Sequence, residues 1–119
     1  AKSILDLRAT LERLESYGVT VVGYGTDEFP GFFTRTTGLG VSAQAANAAD
    51  VAAIYRAARS LGLPGATLVV VPPPAATALD RREVDAAVEG ALASARAAGI
   101  SGAAVTPYLL AAVDRATGG

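Results

Sequence analysis

Apolar positions recur at helical spacing from the start of the chain. Leu7, Leu11 and Leu14 share one face, Asp6 stands before them as a candidate N-cap, and Gly18 follows as a left-handed stop. The β-branched run Val19 to Val22 then predicts a short buried strand. Gly23 to Gly38 breaks all periodicity and mixes glycine, proline, aromatics, charges and hydroxyls. A loop of that length inside a small domain usually has a function. Leu39 to Ala43 is a further candidate strand. Asn47 can cap a second helix whose apolar face is Val51, Ile54, Tyr55, Ala58 and Leu61, with Gly62 and Pro64 ending it. The run from Ala66 to Val71 predicts a strand buried on both faces, stopped by Pro72 to Pro74.

Asp80 and Glu83 form a capping-box-like pair. The helix they open buries Val84, Ala87, Val88, Ala91, Leu92 and Ala95 and ends at Gly99. Thr106 is expected to cap a fourth helix, with Pro107 in its first turn and Leu109, Leu110 and Val113 facing inward. The order helix, strand, loop, helix, strand, helix, helix predicts an α/β fold. The expected architecture is a layered α/β/α arrangement with a largely parallel sheet, incomplete as it stands. Residues 1–119 form one partial domain in this reading, with no internal repeat and no linker. The alanine-rich stretch from Ala43 to Ala58 keeps helical periodicity and is not low complexity.

Composition narrows the chemistry. Half of the 119 residues are hydrophobic, but much of that is alanine, which buries little area, so Leu, Val, Ile, Tyr and Phe must supply the core. Net charge is −1 with both signs interspersed, which argues against a nucleic-acid partner held through phosphates. Cysteine and histidine are absent, which removes disulfides, thiol chemistry and the commonest general base and metal ligand. No apolar run approaches the roughly 18 residues of a membrane span, and no signal segment is evident, so no membrane partner and a cytoplasmic location are expected. The chain starts Ala1-Lys2-Ser3, lacks methionine and stops just after a helical pattern, so both ends are expected to be cuts within a longer sequence.

The candidate chemistry lies in few places. Gly23 and Gly25 after a strand give half of a dinucleotide fingerprint, but Glu28 occupies the third glycine position and no helix opens there. Asp27 and Glu28 are adjacent. Either could serve as a metal ligand or general base, with a solvated loop acid the plainer reading. Thr26, Asp27, Thr34 and Arg35 are candidates for lining a substrate pocket or a subunit interface. Arg35 paired with an acid is the favoured structural alternative. Lys2, on composition alone, is an exposed terminal lysine. As a Schiff-base nucleophile it would have to be partly neutral near pH 7, through desolvation or a nearby cation.

A resemblance shifts that balance. Ala1-Lys2-Ser3-Ile4-Leu5-Asp6-Leu7, Thr10-Leu11-Glu12, Leu14-Glu15 and Gly18-Val19 look like a stretch of the pseudouridine-5′-phosphate glycosidases, the indigoidine synthase A-like family. Val21 to Pro30, Phe32, Phe33, Arg35 and Gly38 are similar to that family's long loop. Leu61 to Gly65, Ala78-Leu79-Asp80 and Ala104 to Leu110 fit as well, so the resemblance covers nearly the whole chain. Two departures stand out. Arg8 occupies a position where relatives often have a small residue or proline, and Leu39 to Ala49 lacks the family's proline-rich connection.

The resemblance implies an enzyme that reversibly splits pseudouridine 5′-phosphate, a small-molecule nucleotide, into uracil and ribose 5-phosphate. It implies a manganese ion, a homotrimer, and Lys2 as the catalytic nucleophile attacking the ring-opened sugar. A carbon–carbon bond to uracil is a poor leaving bond, and an imine at the opened sugar gives its electrons a path. The family's proton-donating glutamate, its metal-binding aspartate and most sugar-phosphate contacts correspond to sequence before Ala1, so no metal ligand is expected within 1–119. The chain alone is therefore expected to be inactive. The alternatives are a non-catalytic truncated homologue or interaction module, and a generic sugar-phosphate-binding α/β protein.

Overall fold

The computed structural model describes residues 6–118. Lys2 therefore lies outside the described residues. Within them the order is α1 (Leu7–Ser16), β1 (Thr20–Tyr24), β2 (Ala43–Ala45), α2 (Ala48–Ser60), β3 (Thr67–Val70), α3 (Arg81–Ala97), a 3-10 turn (Gly102–Ala104) and α4 (Val105–Thr117). The strands form a parallel sheet in the order β2-β1-β3, with Val22 opposite Ala43 on one side and Val69 on the other. Helix α2 carries the chain from one edge past β1 to the other.

Local signals set the helix ends as expected. The Asp6 carboxylate accepts from the Ala9 amide and the Asn47 side-chain oxygen from the Asp50 amide. Asp80 accepts from both Arg82 and Glu83, so at three N-termini a side chain takes one or two of the otherwise free amides. At the other ends, Gly18, Gly62 and Gly99 have φ of 66°, 69° and 66°. The following amides of Val19, Leu63 and Ile100 reach back to the carbonyls of Leu14, Ala58 and Ala95, the six-to-one bond of a Schellman stop.

Burial is divided between two clusters. Val21, Phe29 and Val70 form one, covered by Leu7, Leu11 and Leu14 of α1. Ala91, Ala95, Leu109 and Val113 form the other, between α3 and α4, with Ala87, Val88 and Leu92 packed around it. Val84 and Val22 are also fully buried, Val22 on the sheet face opposite Val21. Alanines at 91 and 95 let the two helices approach closely. The Ser94 and Tyr108 hydroxyls close the same seam with a hydrogen bond of 2.6 Å.

Four expectations need correction. The second strand is Ala43–Ala45, not Leu39 to Ala43. Leu39 and Val41 instead bond in antiparallel fashion to Phe29 and Asp27, because that stretch closes the loop on itself. The strand from Ala66 is not buried on both faces. Leu68 is 37% exposed, Val69 38% and Val71 64%, since no described strand pairs with the outer edge of β3. The apolar face of α2 contains no fully buried residue, and Tyr55 and Leu61 are exposed. Thr106 does not cap α4. The helix grows out of the 3-10 turn with no side-chain cap, and Thr106 is its second residue, with Pro107 still within the first turn.

Candidate functional site

Residues 25–42 run from the carboxyl end of β1 to the start of β2 and tie the molecule together. The Thr26 hydroxyl accepts from the Glu28 amide at 3.1 Å, which turns the chain directly after Gly25. Phe29 enters the sheet cluster, and Phe33 packs on the helical one. The Phe33 carbonyl accepts from the Leu79 amide at 2.8 Å, and an Arg35 guanidinium nitrogen donates to the Pro73 carbonyl. The loop is thus bonded to the segment between β3 and α3.

Glu28 is the structural pivot. Its carboxylate accepts from the backbone amides of Thr37 at 2.7 Å and Gly38 at 2.8 Å. Those two bonds, Gly38 first, hold its pKa below the ordinary 4.5, aided by Arg81 and opposed by partial burial. Glu28 is therefore an acceptor locked in place, neither a solvated loop acid nor a free base. Its neighbour Asp27 faces solvent. The Thr37 hydroxyl donates to the Phe29 carbonyl and completes the fold-back.

This fold-back shapes a cleft of about 500 Å³ between the first turns of α1 and α3. Arg8, Thr34, Thr36, Gly38, Arg81 and Asp85 are the lining residues that carry its character. Gly38 has φ of 72°, and a β-carbon there would stand 3.0 Å from Arg81 Nη1, so glycine lets the loop bend and leaves room for the guanidinium. Arg81 Nε pairs with Asp85 at 3.4 Å.

The residues singled out from sequence do not converge on one site. Thr26 and Asp27 border a separate shallow hollow of about 350 Å³ beside Gln44 and Ala45, at the carboxyl ends of β1 and β2. Thr34 lines the larger cleft. Arg35 bonds a backbone carbonyl, not the acid expected of it. Arg81 was not foreseen, because an arginine opening a helix carries no sequence signal of its own, and Arg8 stood out only as a departure from its relatives. Among the described residues no group of three or more Asp or Glu is gathered closely enough to hold a metal ion, and no helix is long and apolar enough to cross a membrane.

Known proteins match the whole of this arrangement. Pseudouridine-5′-phosphate glycosidases of Gemmatimonas aurantiaca and Symbiobacterium thermophilum are 56% and 50% identical over 119 residues, which is all of this chain and 39% of each relative. The chain thus spans about two fifths of the length of the curated relatives it matches. Among solved structures, the prealnumycin C-glycosynthase AlnA in complex with ribulose 5-phosphate superposes with a TM-score of 0.91. It is 40% identical over all of this chain and 39% of its own. An indigoidine synthase A-like protein from Thermotoga maritima superposes with a TM-score of 0.80 at 32% identity, over 99% of this chain and 38% of its own. The family described as indigoidine synthase A like protein matches residues 1–119, and the chain belongs to it.

Proposed function

We propose that this chain is the lysine-bearing stretch of a pseudouridine-5′-phosphate glycosidase. The observation that carries this reading is identity of 56% over every residue of the chain to a protein of that name. The C-glycosynthase neighbour supports the same bond type and a pentose 5-phosphate as ligand class.

In this reading Lys2 Nζ, uncharged, bonds the sugar carbon that holds uracil as the ring opens. The nitrogen lone pair then expels uracil once its carbon has taken a proton, leaving an imine. Water hydrolyses the imine to ribose 5-phosphate and returns the amine. The resemblance assigns the proton donor and the manganese ligand to sequence before Ala1. We also infer a cytoplasmic homotrimer acting on a small phosphorylated nucleotide. The relatives' names support the substrate, and the assembly rests on resemblance alone.

The test is uracil release. The 119-residue chain alone is expected to release none. A polypeptide extended to the relatives' length is expected to turn over, and Lys2→Ala is expected to lower that rate about a thousandfold or more, the scale on which a lost nucleophile acts. Full activity of Lys2→Ala would overturn the assignment.

A further inference from the structure

We propose that the cleft between the first turns of α1 and α3 binds a phosphate group, free or as a phosphate monoester. The carrying observation is Thr34. It is 4% exposed and lines this cleft, yet its hydroxyl has no hydrogen-bond partner among the described residues. Buried hydroxyls are nearly always bonded, and one left unsatisfied beside an open cleft calls for a partner from within that cleft. Thr36, on the same wall, is also without a side-chain partner and is exposed.

The charges fit an oxyanion. Arg8 lines the cleft and makes no ion pair with any described residue, not even with Glu12 one turn further on. Arg81 gives its Nε to Asp85, while Nη1 and Nη2 lie on the Gly38 side. Asp85, the acid lining the cleft, is engaged with that Nε, and Glu28 with the amides of Thr37 and Gly38, while Glu12 and Glu15 line the adjoining hollow on the far side of Arg8. A planar guanidinium with free terminal nitrogens, a second unpaired arginine and two hydroxyl donors present the donor set that phosphate oxygens take. A neutral polyol would leave Arg8 without a counter-charge, and a cation would meet two arginines. The assignment does not depend on the role of Lys2.

Calorimetric titration of the full chain tests this, with inorganic phosphate and with ribose 5-phosphate at constant ionic strength. Both are expected to bind at one site. Arg8→Gln is expected to weaken both about tenfold, as loss of a charge-assisted bond does. Thr34→Val should weaken both several-fold, with circular dichroism reporting its fold. Arg8 is on the surface, so its variant keeps the test open if the threonine variant unfolds. Tighter binding of ribose 5-phosphate that persists in Lys2→Ala, where no imine can form, identifies a monoester site and equal binding a site for free phosphate; both support the proposal. Absence of phosphate binding, or affinity unchanged in Arg8→Gln, overturns it.

Discussion

The sheet half and the helical hairpin solve burial in different ways. In the hairpin, α3 and α4 are adjacent in sequence and close a core of Ala91, Ala95, Leu109 and Val113 between themselves. The sheet half brings Val21, Phe29 and Val70 together across long separations and still leaves Leu68, Val69 and Val71 partly open. Neighbouring helices can satisfy one another, whereas a parallel sheet is normally covered on both faces and depends on more distant chain. The loop joins the two regimes, with Phe29 in one core and Phe33, four residues on, against the other.

The largest expected effect breaks the comparison at its non-local side. Phe29→Ala should cost about 3–5 kcal/mol. Hydrogen exchange should show protection lost in β1 and β3 well before α3 and α4, and uniform loss would mean the two cores are one cooperative unit. Leu109→Ala, its counterpart in the hairpin, should cost about 2–4 kcal/mol with the reverse exchange pattern. At the joint, Gly38→Ala forces a β-carbon into a left-handed position and against Arg81, and a loss of about 1–2 kcal/mol is expected in urea denaturation. Asp80→Ala removes the cap of α3 and should cost about 1 kcal/mol, visible as fraying of its first turn.

Much of the molecule was legible because its signals are local. Asp6, Asn47 and Asp80 cap helices by their own chemistry, and Gly18, Gly62 and Gly99 stop them by theirs. What escaped was set by partners far along the chain. Ala43–Ala45 has no β-branched residue and is a strand only because β1 lies beside it. The burial expected of Ala66 to Val71 assumed cover that the described residues do not provide. Thr106 looked like a cap because its hydroxyl precedes Pro107, but the 3-10 turn before it already starts the helix. The site shows the same division. Thr34 was a candidate from its loop, while the meeting of Arg8 with Arg81 exists only after folding.

The smallest expected effect sharpens the role of the joint. Because the folded pKa of Glu28 is lowered, its contribution is fully present above its ordinary 4.5 and is lost as pH falls through the lower folded value. Acid titration followed by β1 exchange should show that loss in the native chain. Glu28→Gln should be less stable at neutral pH and flatter below 4.5. An unchanged acid limb would remove Glu28 as the pivot.

The most direct test of the catalytic reading is reductive trapping. Borohydride added to the extended polypeptide with ribose 5-phosphate should fix the sugar on the peptide containing Lys2, and mass spectrometry should find it on that nitrogen. Modification at any other lysine, or none at all, would contradict the imine at Lys2.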